Sequence, residues 1–111
     1  MCIFCDIAQH KAPAAMEYEN DNVAVFKTLQ PKAPIHLLVV PKRHIESVND
    51  LSGQDSQLVG ELIQAAKQVA KQKGIAETGY RLVINTGRDS GKSIDHLHMH
   101  LLGGWAETQN E

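Results

Sequence analysis

The stretch HLHMHLL, His96 to Leu102, decides how this chain is read. Its three histidines fall at i, i+2 and i+4, with Leu97, Met99 and Leu101 alternating between them. A β-strand sends successive side chains to opposite faces, and same-face neighbours stand about 7 Å apart. The alternation predicts a strand over Ile94 to Leu102, with His96, His98 and His100 in a row on one face. Leu97, Met99 and Leu101 then turn into a core. Neutral imidazoles in such a row bind metal or phosphate, and clustered ionisable groups point to a site. The plainer alternative is a surface strand that carries three polar residues.

Working outward, Tyr80 to Asn85 is a second strand, and Thr86 to Ser93 is a Gly-containing loop between the two. Strands joined this way pair antiparallel. Ile35 to Val40 (IHLLVV) is strongly strand-like and stops at Pro41, and Val23 to Phe26 is a short strand. Gln30 to Pro34 holds two prolines and reads as an extended loop. Lys11 to Ala15 is a connection, and polar Glu17 to Asn22 is a turn region. Leu58, Val59, Leu62, Ile63, Ala66, Val69 and Ala70 trace one helical stripe opposite Glu61, Gln64, Lys67, Gln68 and Lys71. Ser52, with Asp55 three residues on, is its N-terminal cap, and Gly74 is its stop. Ile3, Phe4 and Ile7 give a short helix within the first ten residues. The expected architecture is α+β: an antiparallel sheet with one long helix on one face, in a single domain over residues 1–111 ending in a polar tail, 106–111.

The 111 residues suffice for one core, and 42% apolar with 22% charged residues is ordinary for a globular protein. A net charge of −2 argues against nucleic-acid binding through bulk positive charge, though not against a small anion held by local dipoles. No apolar run reaches the roughly 20 residues of a membrane span. The N-terminus lacks a basic region followed by an apolar core, so no signal peptide is expected. Cys2 and Cys5 are too close for a disulfide to close a useful loop. A reducing cytoplasm, with the thiols idle or on a metal, is the expected setting.

Phosphoryl transfer needs a nucleophile, charge compensation and a proton for the leaving group, and imidazole can serve near neutral pH. His98 is central in the row, but position alone does not choose it over His100. His36 sits in an apolar strand, where a lone histidine is more often a satisfied core residue. Gly87 and Gly91 allow positive φ and close backbone approach to an anion, and Asn85 and Ser93 add side-chain hydrogen bonds. Cys2-x-x-Cys5 offers two soft ligands from one turn, which two histidines would complete as a tetrahedral zinc site.

HLHMHLL resembles the His-φ-His-φ-His-φ-φ signature (φ apolar) of the histidine triad nucleotide-binding proteins. KAPIHLLVVPKRHI (Lys32 to Ile45) is similar to the family's other histidine-bearing strand. NTGRDSGKSIDHLHMHLLGG (Asn85 to Gly104) is similar to its phosphate-binding segment. The Gly103-Gly104 pair resembles the nucleoside phosphoramidate hydrolase branch rather than the dinucleoside polyphosphate hydrolases. The resemblance implies His98 as nucleophile, forming a nucleotidyl-histidine, with His100, as an imidazolium, and Ser93 assisting and His36 orienting the pair. It implies a purine nucleotide bound by Thr28, Leu29, Asn85, Gly91, Lys92, Ser93, His98 and His100. It implies zinc on Cys2, Cys5, His44 (from Pro41-x-x-His44) and His96, and a homodimer with Trp105 near the interface. Three positions depart from the pattern. Thr28 stands for an acidic residue that grips the ribose, Lys92 for a glutamine, and Asp95 is an unusual acid before the triad. Lys92 adds charge beside the phosphate or points into solvent, and Asp95 raises a neighbouring histidine's pKa. Thr28 and Lys92 also favour a second reading, a nucleotide-binding regulatory module with little turnover.

Overall fold

The computed structural model describes residues 2–92 and 94–105. Its elements follow as α1 (Ile3–Ala8), β1 (Met16–Glu19), β2 (Val23–Lys27), β3 (Ile35–Pro41), α2 (Ser56–Gln72), β4 (Tyr80–Ile84) and β5 (Met99–Gly103). The five strands form one antiparallel sheet in the order β1-β2-β3-β5-β4. The unbroken apolar runs of β2 and β3 reflect burial on both faces. Val23, Val25, Leu37, Val39, Met99 and Leu101 meet α2 through Leu62, Ala65, Ala66, Val69 and Ala70. On the other face, Ala24, Phe26, Leu38 and Val40 pack with Phe4 and Ile7 of α1. A large side chain such as Leu62 or Phe26 contributes roughly 1.5–3 kcal/mol by that burial. The long helix on one face is as expected, and the short helix takes part of the other.

The ends of α2 follow from its sequence. Ser52 and Asp55 form a capping box on a 3-10 turn, Gly53–Asp55, which runs directly into the helix. At the other end, Gly74 has φ 76°, its amide bonds to Lys71, and the Ile75 amide bonds to Ala70. That pair of bonds is a Schellman stop, and the buried Ile75 supplies its apolar contact. The stripe is rotated slightly from its expected line, since Ala65 is buried while Ile63 is 41% exposed.

Three expectations are corrected. Met16–Glu19 is a strand, where the polar composition suggested a turn. Its Tyr18 and Met16 reach opposite cores across a bulge, and Glu17 and Glu19 are held by Lys73 and Lys42. The turn itself is Asn20 to Asn22, closed by the Asn20 side chain accepting from Asn22 and Val23. The triad strand starts at Met99 rather than Ile94. Its partner β3 ends at Pro41, which has no N–H to give a longer ladder. The apolar alternation survives, because Leu97, Met99 and Leu101 all enter the α2-side core. The β4–β5 connection is long, with a 3-10 turn at Arg88–Ser90, yet the pairing is antiparallel, Tyr80 opposite Gly103. Among the described residues no helix is long and apolar enough to cross a membrane.

Candidate active site and metal-donor cluster

β3 and β5 bring His36 and His100 together as diagonal neighbours, since Leu38 stands opposite His100 and His36 opposite Leu102. The His36 and His98 rings each lie 5.1 Å from the His100 ring. The tautomers follow from fixed backbone groups. The Lys32 amide donates to His36 Nδ1 at 2.9 Å, so the His36 proton sits on Nε2. That Nε2–H donates to His100 Nδ1 at 2.9 Å, which leaves the His100 proton on Nε2. His98 is fixed the opposite way. Its Nδ1 lies 2.7 Å from the His96 carbonyl, which can only accept, so Nδ1 carries the proton and Nε2 keeps its lone pair. One ring thus presents a bare nitrogen and its neighbour an N–H. That difference makes His98 the better nucleophile and His100 the better donor, a choice that spacing alone left open.

Burial pushes the His100 pKa down to about 4, with His98, His36 and Lys32 adding to the shift. Burial also lowers His36, again helped by Lys32. His100 is therefore neutral in the free protein near pH 7, not the imidazolium expected from sequence. It still donates through Nε2–H, and an arriving phosphate anion would favour its protonation.

These histidines line a cleft of about 600 Å³ together with Thr28, Leu29, Asn85, Gly91 and Lys92. Ser93 lies outside the described residues. Gly87 and Gly91 have φ 79° and 83°, the left-handed conformations that the loop needs. Thr28 Oγ1 accepts from the Gln30 amide at 3.3 Å, and no carboxylate lines the cleft among the described residues. Lys92 neither points into solvent nor aims its charge freely at the site. Its side chain is 8% exposed, and its ammonium sits 3.2 Å from the Glu46 carbonyl and 3.4 Å from Asp95. Asp95 is turned outward to that lysine and is not among the causes of the histidine shifts. The apolar wall made by Ile3, Phe4, Ile7, Phe26 and Leu38 was missed from sequence. The helical spacing of Ile3, Phe4 and Ile7 was visible, but it reads equally well as core.

Cys2, Cys5, His44 and His96 form a second cluster, their donor atoms all within 4.8 Å of one another. Cys2 Sγ and Cys5 Sγ are 3.2 Å apart, His96 Nδ1 is 3.2 and 3.5 Å from them, and His44 Nδ1 is 3.7 and 3.1 Å from them. A tetrahedron with ordinary Zn–S and Zn–N lengths has edges of roughly 3.3–3.8 Å, close to the distances that involve the two thiols. His96 is fully buried, and its Nε2–H donates to the Pro41 carbonyl at 2.8 Å, which frees Nδ1 as a ligand. Burial holds the His96 pKa down and the Cys5 pKa up, so without a cation Cys5 stays a thiol. The donor set fits zinc. Four protein donors leave no open position, which suits a structural rather than a catalytic ion.

The family model described as "Scavenger mRNA decapping enzyme C-term binding" matches residues 1–110. The chain is 44% identical over 102 residues to the purine nucleoside phosphoramidase of Escherichia coli strain K12, covering 92% of this chain and 86% of that protein. It is 37% identical to protein HitA of Neisseria gonorrhoeae, over 92% of this chain and 94% of the relative. Among solved structures, a HIT family hydrolase from Legionella pneumophila superposes with TM-score 0.93 at 42% identity, covering 97% of this chain and 96% of that one. A histidine triad protein from Clostridium difficile gives TM-score 0.93 at 40% identity, covering 99% and 96%. With its triad on β5 and the preceding loop, and with relatives alike over nearly its whole length, the chain belongs to the histidine triad family.

Proposed function

We propose that this protein is a hydrolase that cleaves the P–N bond of purine nucleoside 5′-phosphoramidates through a nucleotidyl-histidine intermediate, working as one catalytic domain. The observation that carries the proposal is the opposed tautomer pair, His98 with a bare Nε2 beside His100 with Nε2–H. The name and similarity of the Escherichia coli relative support the substrate class. His98 Nε2 attacks the α-phosphorus while His100 Nε2–H hydrogen-bonds a phosphoryl oxygen, the P–N bond breaks, and the departing amine takes its proton from solvent. Water then attacks the phosphorus, loses its proton to solvent, and releases the nucleoside monophosphate and neutral His98. The loop from Asn85 through Gly91 and Ser93 cradles the phosphate oxygens, Thr28 and Leu29 meet the nucleoside, and Lys92 braces the loop. His36 orients His100.

Zinc on Cys2, Cys5, His44 and His96 would fix the N-terminal segment to the sheet and supply no catalytic water. We further propose a homodimer formed through the sheet edge at β4, where Ile84 is 38% exposed and Arg81 stacks on Trp105. A cytoplasmic setting fits the two free thiols.

The test is rapid acid quench with a nucleoside phosphoramidate labelled in the nucleotide. Label should be trapped on parent protein and absent from His98→Ala. A panel of phosphoramidates and dinucleoside polyphosphates separates this activity from the polyphosphate hydrolase alternative. Tight nucleotide binding with neither trapped label nor turnover would favour the regulatory module, which Thr28 makes the second reading.

A further inference from the structure

The helix α1 belongs to two sites at once. Cys2 and Cys5 at its start face His44 and His96, while Ile3, Phe4 and Ile7 line the cleft. Phe4 joins the two. Its buried ring lies edge-to-face 5.9 Å from His96, 5.2 Å from His98 and 5.5 Å from Phe26. A helix of six residues is too short to hold itself together, so its place depends on what it is fastened to. Its fastenings are the packing of Phe4 and Ile7 against the sheet and the two thiols over the histidines.

We propose that metal occupancy at Cys2, Cys5, His44 and His96 controls nucleobase affinity in the cleft, with Phe4 carrying the coupling. The inference rests on the zinc and nucleotide readings above. A metal ion that draws in both thiols releases their two protons to water and clamps the N-terminus of α1. The clamp fixes the apolar wall that a flat purine would need. At the phosphate end, His100 and Asn85 stand on β5 and the β4–β5 connection and are not carried by α1; the His98 ring, which Phe4 abuts, is held by the His96 carbonyl, and His96 in turn by the Pro41 carbonyl. The coupling therefore acts on the base-bearing part of a ligand. It is reciprocal, so nucleotide must tighten metal by the factor by which metal tightens nucleotide.

The experiment begins with the metal content of untagged protein. Guanosine 5′-monophosphate and ribose 5-phosphate are then titrated by calorimetry into metal-loaded and chelated protein, with circular dichroism recorded on both. Chelation should weaken the nucleotide by at least about fivefold, the lower end of ordinary coupling, and leave ribose 5-phosphate within about twofold. Cobalt affinity, read by visible absorbance, should rise by the same factor when the nucleotide is present. In Phe4→Ala, metal should still bind while nucleotide affinity stops responding to it. Equal losses for both ligands mean that chelation loosens the whole site, and unchanged affinities mean there is no linkage. Either result overturns the proposal while leaving the zinc reading intact, as does a Phe4→Ala protein that keeps the full coupling. Protein that takes up no zinc or cobalt overturns both.

Discussion

His36 holds His100 in a single tautomer. The His36 Nε2–H reaches His100 Nδ1 at 2.9 Å, and the Lys32 amide pins the far side of His36 at 2.9 Å. A backbone N–H thus dictates, through two rings, which nitrogen of His100 faces the cleft. Removing the middle ring in His36→Ala frees His100 to flip or change tautomer. Supporting groups of this kind typically matter by 10–100-fold, so kcat should fall by about that factor. The intermediate on His98 should still form, because the His98 tautomer is set separately by the His96 carbonyl. Single-turnover measurements would show it. A variant with parental kcat would mean that His36 only fills space.

Lys92 is expected to act as a brace rather than as a charge reader. Its ammonium is held by the Glu46 carbonyl and Asp95. Lys92→Gln should therefore weaken nucleoside mono-, di- and triphosphates by similar factors, with little change in salt dependence. Calorimetry at low and moderate salt would measure this. A loss that grows with ligand charge would put the ammonium at the phosphates.

Acidification should destabilise the protein through His100. Its native pKa is depressed to about 4 by burial and by neighbouring positive charge, against roughly 6.5 when unfolded. Between those values the unfolded chain holds the extra proton, so stability rises with pH across that window. The contribution is complete above about pH 6.5 and fades as pH falls towards 4; His36 is shifted in the same direction. His100→Asn should flatten the dependence. Melting temperatures of parent and variant, compared at each pH, cancel any loss of metal common to both. Parallel curves would show that His100 titrates normally.

The fold was legible where one residue pattern had one structural meaning. The continuous run of Ile35–Val40, the α2 stripe with its Ser52 cap and Gly74 stop, and the alternation of Leu97, Met99 and Leu101 all read directly into the structure. β1 was hidden because Glu17 and Glu19 look like turn residues until Lys73 and Lys42 are seen beside them. The histidines and cysteines of the site were legible too, but their protonation was not. Tautomers depend on the Lys32 amide and the His96 carbonyl, and the His100 pKa depends on burial, none of which has a sequence signal. The apolar wall on α1 was missed because the spacing that buries a residue in a core also lines a cleft.

Gly103 is expected to be intolerant of any side chain. A Cβ there would lie 2.8 Å from Ile75 Cδ1 and 3.3 Å from the Gly79 carbonyl. Ile75 is buried at the Schellman stop of α2, so it has little room to yield. Gly103→Ala should cost about 1–3 kcal/mol, as overpacked sites do. Gly104 has φ 86° and its Cβ would meet Ile35 and Pro34, so Gly104→Ala should be destabilising as well. Urea denaturation would measure both. An unchanged midpoint for Gly103→Ala would mean that Ile75 has a second rotamer available.

Metal removal should lower stability locally, starting at α1. The sheet and α2 share a core that contains none of the four donors. The donors instead tie Cys2 and Cys5 to His44, beyond the end of β3, and to His96, ahead of β5. Zinc binding free energy appears as folding free energy only for the part it fastens. The double variant Cys2→Ser/Cys5→Ser is informative because Cys2 also caps α1, its sulfur accepting from the Cys5 amide at 3.2 Å. Serine is a good cap, so the variant removes the metal and keeps the cap. Parent protein purified without a histidine tag should hold about one zinc per chain, the number one tetrahedral set can bind. Chelation, or the double variant, should lower the melting temperature by roughly 4–8 °C for each kcal/mol lost, as in other small domains. Amide exchange should speed up first over Ile3–Ala8, while Leu62 to Ala70 stays protected. Parent protein without zinc, melting at the temperature of the double variant, would reduce the four residues to a cluster with no metal role.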